Sequence, residues 1–179
     1  MQQQGFSLIE LVVTVVVLMA VSMFAIPAFQ TSIGNSQIRT VTESIKNGLQ
    51  QARIEAIKRN TRVRFTLQAN GAWQLGCVAQ PVDAATAAAV PACPAIISQK
   101  SASEGSSANV IIVADNPSVV FTGFGARDPA VANGLSRVDV SNNQVDQAEL
   151  KDLRIILAAG GHARVCDPAV TAVGDTRRC

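Results

Sequence analysis

The sequence is poor in the residue types that most enzymes place at their reacting atoms. Histidine occurs once, at His162, so a histidine base beside a nucleophile could come from that position alone. No G-x-S-x-G elbow, P-loop or H-E-x-x-H stretch is present. Acidic residues such as Asp115, Asp128 and Asp139 follow no spacing that demands a carboxylate pair. The cysteines form no C-x-x-C pair, which excludes the usual spacing of a zinc site. The chain is therefore read as a non-enzyme, with no catalytic residue, no metal ligand and no cofactor.

Charge is missing too, in one place. From Leu11 to Phe29 there is no charged residue, and only Thr14, Ser22 and Pro27 interrupt the apolar run. As a helix at ~1.5 Å per residue this run is long enough to cross a hydrocarbon core. The leader Met1–Gly5 has no basic side chain and no small-x-small site follows the run, so a removable secretory signal does not fit. With 179 residues in all, the chain is read as one domain on a membrane-inserted stalk. Glu10 stands near the start of that helix, where a carboxylate costs about 2.5–3.5 kcal/mol at mid-membrane and less near the interface. Either hydration among headgroups or a cation met on assembly must offset that cost.

The net charge of +2 hides an asymmetry. Arg39, Lys46, Arg53, Lys58, Arg59, Arg62 and Arg64 face only Glu43 and Glu55 between positions 39 and 64. Such a cluster suits a solvated helix face, an anionic membrane or nucleic acid. The four cysteines, Cys77, Cys93, Cys166 and Cys179, allow three pairings. The most local pairing, Cys77 with Cys93 and Cys166 with Cys179, would close two short loops, each stabilised by roughly 3 kcal/mol in the chain-entropy model. Disulfides point to an oxidising compartment such as a bacterial periplasm.

Beyond Pro27, Ile38, Val41, Ile45, Leu49, Ala52 and Ala56 recur at spacings of three and four, one face of a helix packed on a domain. The helix is expected to stop near Arg59-Asn60, because Arg62–Leu67 alternates with the period of a strand. Asn70-Gly71 marks a hairpin into Trp73–Cys77. Val78–Ser107 reads mostly as loop and linker. The runs Val110–Val113, Val119–Phe121, Leu135–Val140, Leu153–Leu157 and Ala163–Cys166 suit an antiparallel sheet. The fold class is α+β, a long N-terminal helix kinked near Pro27 and packed on an antiparallel β-rich head.

Gly5-Phe6-Ser7-Leu8-Ile9-Glu10, followed by the apolar run, resembles the processing motif of type IV prepilins and type II secretion pseudopilins. The resemblance implies that a prepilin peptidase cuts between Gly5 and Phe6 and methylates the Phe6 amine. Glu10 would then meet the N-terminus of an adjacent subunit during assembly, and Pro27 falls where such helices bend. The leader departs from the pattern in lacking Lys or Arg. Residues 1–5 would be the leader, 6–29 the transmembrane or filament-core half of the helix, 30–60 its amphipathic half and 61–179 the periplasmic head. The stretch Ala52–Asn60 with Val63 is similar to the helix-to-strand junction of the GspH/FimT group, which includes pseudopilins and minor pilins of the FimU and FimT kinds. A pilin-like fold is implied. So are major and minor pilins, the prepilin peptidase and an inner-membrane assembly platform as partners, with a single pass in the bacterial inner membrane before entry into a pilus.

Gly161-His162-Ala163-Arg164-Val165-Cys166 resembles the Gly-Arg-x-Arg-x-Cys motif of FimT- and FimU-like minor pilins, with His162 in place of the first arginine. In FimT-like members this region is associated with DNA binding. A Cys166–Cys179 bond could bring Arg177 and Arg178 beside Arg164, a three-arginine patch for phosphates, although Asp167 and Asp175 would offset it. The leading expectation is a minor pilin of a pilus tip or initiation complex. The alternatives are a DNA-binding minor pilin for natural transformation and an H-type pseudopilin of type II secretion.

Overall fold

The computed structural model describes residues 7–78, 93–104, 107–143 and 150–179, with the backbone alone for 24–28. Helix α1 spans Leu8–Arg59. Ser7 caps its start, Glu10 lies in its first turn, and Lys58 and Arg59 lie in its last, signs that complement the helix dipole. It ends where Asn60 adopts the left-handed conformation, φ 47° and ψ 45°, and turns its N–H back to the carbonyls of Ala56 and Ile57. Asn is one of the few side chains that tolerates this geometry. The helix continues through position 27. The side chain of Pro27, on which the expected kink turns, lies outside the described residues.

Eight strands follow among the described residues: β1 Val63–Leu67, β2 Trp73–Cys77, β3 Ser98–Lys100, β4 Val110–Ala114, β5 Ser118–Phe121, β6 Arg137–Asn142, β7 Leu153–Leu157 and β8 Ala163–Cys166. They form two four-stranded sheets, ordered β3-β2-β1-β5 and β4-β6-β7-β8, with every pairing antiparallel. The runs expected to pair antiparallel do so, and are divided between two sheets that the sequence reading does not separate. The chain changes sheets at Asp115-Asn116-Pro117, between β4 beside β6 and β5 beside β1. Pro117 has no N–H to donate, but its carbonyl accepts from Leu67 N at 2.7 Å, which fastens the crossover to the end of β1. A correction concerns β3, which lies in the segment expected to be loop. It pairs with β2 in the register Trp73↔Lys100, held there by a neighbour's edge and not by any apolar period of its own.

The core lies between α1 and both sheets. Ile38, Val41, Ile45, Ala52 and Ala56 are wholly buried and Leu49 almost so. They pack with Val63, Phe65 and Leu75 of the first sheet and Val138, Val140 and Ile155 of the second. Gly48 lets an aromatic pair approach the helix, since a Cβ there would lie 2.8 Å from the Phe65 ring and 3.0 Å from that of Trp73. The Trp73 indole N–H donates to Ser44 Oγ at 3.2 Å. Two buried polar side chains are satisfied: Thr42 Oγ1 donates to the Ile38 carbonyl at 2.7 Å, and Asn142 Nδ2 donates to Gln37 Oε1 at 2.9 Å, as burial requires.

Candidate functional site

Two regions carry the residues singled out above. At the start of α1, Ser7 N donates to Glu10 Oε2 at 3.0 Å and Glu10 N donates to Ser7 Oγ at 3.4 Å, a reciprocal capping box. Part of the cost of placing a carboxylate here is thereby met within the chain. Gly5 and Phe6, the positions of cleavage and methylation, lie outside the described residues. From Leu8 to Met23 every side chain is exposed, with Leu8 at 82% and Ile9 at 71%. Among the described residues no helix is long and apolar enough to cross a membrane. The run read from the sequence extends to Phe29, and within it the side chains of 24–28 lie outside the described residues.

The second region is the C-terminal hairpin and loop. The turn between β7 and β8 is closed by Ala158 N donating to the His162 carbonyl at 3.0 Å and Gly161 N to the Ala158 carbonyl at 2.9 Å. Gly161 has φ 81°, and a Cβ on it would stand 2.0 Å from the Gly125 carbonyl oxygen. The turn after β5 and the turn after β7 therefore touch backbone to backbone. Arg53 of α1 clamps the junction, its Nε donating to the Gly125 carbonyl at 2.8 Å and its Nη2 lying 3.5 Å from His162 Nε2.

The structure separates the sequence-predicted cations. His162 turns to Arg53 at the helix end. Arg164 stands exposed on β8, with Nη2 donating to the Cys179 carbonyl at 3.4 Å. Cys166 bonds Cys179 and Cys77 bonds Cys93, with Cα–Cα separations of 5.1 and 5.7 Å. Within the loop so closed, Arg177 pairs with Asp175 through Nη2 at 2.8 Å and Nε at 3.2 Å. The Arg177 hydrogen bond holds the Asp175 carboxyl at about 2, and the same pair holds Arg177 charged by raising its pKa. Arg178 is exposed at the bridge to Asp167, and among the described residues it makes no ion pair. Among the described residues, Arg164 and Arg178 of the proposed patch are left without an Asp or Glu partner.

Sequence reasoning missed a neighbouring group. The register sets Asp139 beside Arg154, and Arg137 and Arg164 on either side of Ile156. Asp139 accepts from Arg154 Nε at 2.5 Å and Arg137 Nε at 3.2 Å. The alternation of β6 and β7 contained this signal, since side chains two apart on a strand share a face, but the strand register was needed to read it.

The sequence matches two family models. Residues 41–161 match the model of type II transport protein GspH, and residues 1–26 match the prokaryotic N-terminal methylation motif. No curated protein matches the sequence. The fold is similar to the crystal structure of Pseudomonas aeruginosa (strain PAO1) type IV minor pilin FimU, with a TM-score of 0.51 at 13% identity, covering 76% of this chain and 96% of that one. A second crystal form of the same protein gives a TM-score of 0.49 at 12% identity, covering 75% and 99%.

Proposed function

The chain belongs to the family of type II transport protein GspH, and from that premise we propose that it is a minor type IV pilin, a structural subunit of a pilus tip or initiation complex. The observation that carries this reading is the first part of α1, an exposed apolar helix within the residues that match the methylation motif. Exposure of so much apolar surface is unfavourable in water, and a helix apolar on all sides suits a bilayer first and a bundle of like helices afterwards. In this reading a prepilin peptidase cuts between Gly5 and Phe6 and methylates Phe6. The helix then makes a single pass through the inner membrane with the head in the periplasm, and the subunit passes through an assembly platform to join other pilins. The free lone pairs of the Glu10 carboxylate meet the N-terminal amine of a neighbour, an ion pair that sets register while apolar burial supplies most of the association energy.

The test is the intact mass of the protein recovered from a host with a prepilin peptidase. Loss of Met1–Gly5 and gain of one methyl group is expected, and a retained leader would remove the basis for the reading. In the same host Glu10→Gln should leave cleavage intact and abolish entry into filaments.

The family description favours a second reading, an H-type pseudopilin of type II secretion. Deletion separates the two, since loss of twitching supports the pilus and loss of exoprotein secretion supports the pseudopilus. DNA binding is the weaker extension, because Asp175 neutralises Arg177. Arg164 and Arg178 alone would give weak, salt-sensitive, sequence-independent contacts. A mobility shift at low salt that disappears in Arg164→Ala would support it.

A further inference from the structure

The end of α1 farthest from its apolar half carries a patch that the fold leaves uncovered. Phe124 is 91% exposed, and Ile54 and Ile57 are 60% and 47% exposed. Residues three apart on a helix are neighbours, so Ile54 adjoins Ile57. Ile57 in turn lies against the turn that bears Phe124, because a Cβ on Gly125 would stand 2.6 Å from Ile57 Cδ1. That turn is held fast. Gly125 N donates to the Thr122 carbonyl at 2.8 Å, Thr122 N to the Ala126 carbonyl at 2.9 Å, and Arg53 Nε to the Gly125 carbonyl at 2.8 Å. A phenyl ring is thus presented to solvent on a rigid support, the arrangement of an interface anchor, which loses little entropy on docking.

The rim of the patch is cationic. Arg53 has no carboxylate partner among the described residues, and Lys58 and Arg59 share the single carboxylate of Glu55, at 4.0 and 2.7 Å. A complementary surface is therefore apolar at its centre and acidic at its edge. A bilayer does not reach the patch, since Phe29 and Arg59 are separated by roughly 45 Å of helix at ~1.5 Å per residue. A second copy docked symmetrically would set one cationic rim, with Arg53 and Lys58, against another. A stacked nucleic-acid base would use the ring and leave the two aliphatic side chains beside it without a role.

We propose that Phe124, Ile54 and Ile57 form the docking surface for a different pilin-like subunit, one whose contacting face offers an apolar recess rimmed by carboxylates. The inference rests on the filament reading above and adds the face and the chemistry of one neighbour. The patch lies opposite the membrane-inserted end of α1, so the neighbour sits on the side of the head away from the bilayer.

The experiment replaces Phe124 by photoreactive p-benzoylphenylalanine in the full chain, in cells carrying the complete assembly machinery. Irradiation is expected to link it to a different chain with the same N-terminal processing motif, at a peptide containing Asp or Glu. The variant Lys58→Glu, which leaves Arg53 to hold the turn, should weaken the adduct at least several-fold. The same probe at Val173, also 91% exposed, should give none. In parallel, Phe124→Ser should lower the amount of the chain in sheared filaments at least about tenfold, as for an interface anchor, with leader removal and thermal melting unchanged, and Phe124→Leu should recover part of it. An adduct with a second copy, an adduct with nucleic acid, or no adduct from a chain present in filaments would each overturn the proposal. Absence of the unaltered chain from filaments and pseudopili would instead fail the filament reading itself, and is seen before any probe is placed.

Discussion

The two halves of α1 share one backbone and differ in what covers them. From Leu8 to Met23 every side chain faces outward, whereas from Ile38 to Ala56 one stripe is sealed beneath two sheets. In the first half even the hydroxyls turn inward, Thr14 Oγ1 donating to the Leu11 carbonyl at 2.8 Å and Ser22 Oγ to that of Leu18 at 2.7 Å. A helix apolar on all sides does not choose among neighbours, and a stripe selects one. Specificity in the first half therefore has to come from a polar mark, and Glu10 is its one charged residue. In the second half it comes from shape, set by Gly48 beneath the aromatic pair and by the small buried Ala52 and Ala56 of the stripe.

The widest separation between the halves is expected from truncation. Leu49→Ala should destabilise the head by about 2–5 kcal/mol, the usual cost of a core cavity, while Val16→Ala should leave urea unfolding of the head in detergent unmoved. An equal loss in both would show that the halves are one cooperative unit. Overpacking comes next: Gly48→Val pushes a side chain into the Phe65 and Trp73 rings and should cost about 1–3 kcal/mol, with a red-shifted Trp73 emission as the independent sign. A smaller effect is expected at the first turn, where Ser7→Ala removes a cap worth about 1 kcal/mol of local helix stability. Amide exchange at Glu10 should accelerate while the urea midpoint of the head stays in place.

The smallest effect is electrostatic and belongs to the head alone. The folded-state carboxyl of Asp175 lies at about 2, below its unfolded value. Its contribution is therefore complete above the unfolded pKa and fades as pH falls toward about 2. Carboxyl-carbon NMR should follow that midpoint, and Arg177→Ala should return it to the ordinary carboxylate range.

Much of this architecture could be read directly from residue spacing. The stripe Ile38–Ala56 repeats at helical spacing, and the strands Trp73–Cys77, Leu153–Leu157 and Ala163–Cys166 fall where alternation and turn residues set them. β3 was not legible, because Ser98-Gln99-Lys100 has no apolar period and owes its conformation to the edge of β2. The division into two sheets was not legible either, since it depends on which strand lies beside which across Asp115–Pro117. At the candidate sites, residue types were readable and pairings were not. The contact of Arg53 with His162 joins positions brought together only by the fold. That acidic neighbours would offset the arginines was expected from the sequence, but the two-point pairing of Arg177 needed the local turn in which Asp175 also accepts from the Arg177 amide at 2.9 Å.

The buried stripe of α1 also has a mechanical meaning. A pull applied at the apolar end travels along a continuous rod and enters the head as shear, parallel to the stripe. Because Leu49 and its neighbours are gripped by both sheets at once, the load is shared among contacts that must slip together, whereas in a hairpin pulled open from its end they would peel away one after another. Resistance to such a force is governed by the rate of unfolding. The head is accordingly built to hold under tension along the rod, whatever its equilibrium stability when nothing pulls on it.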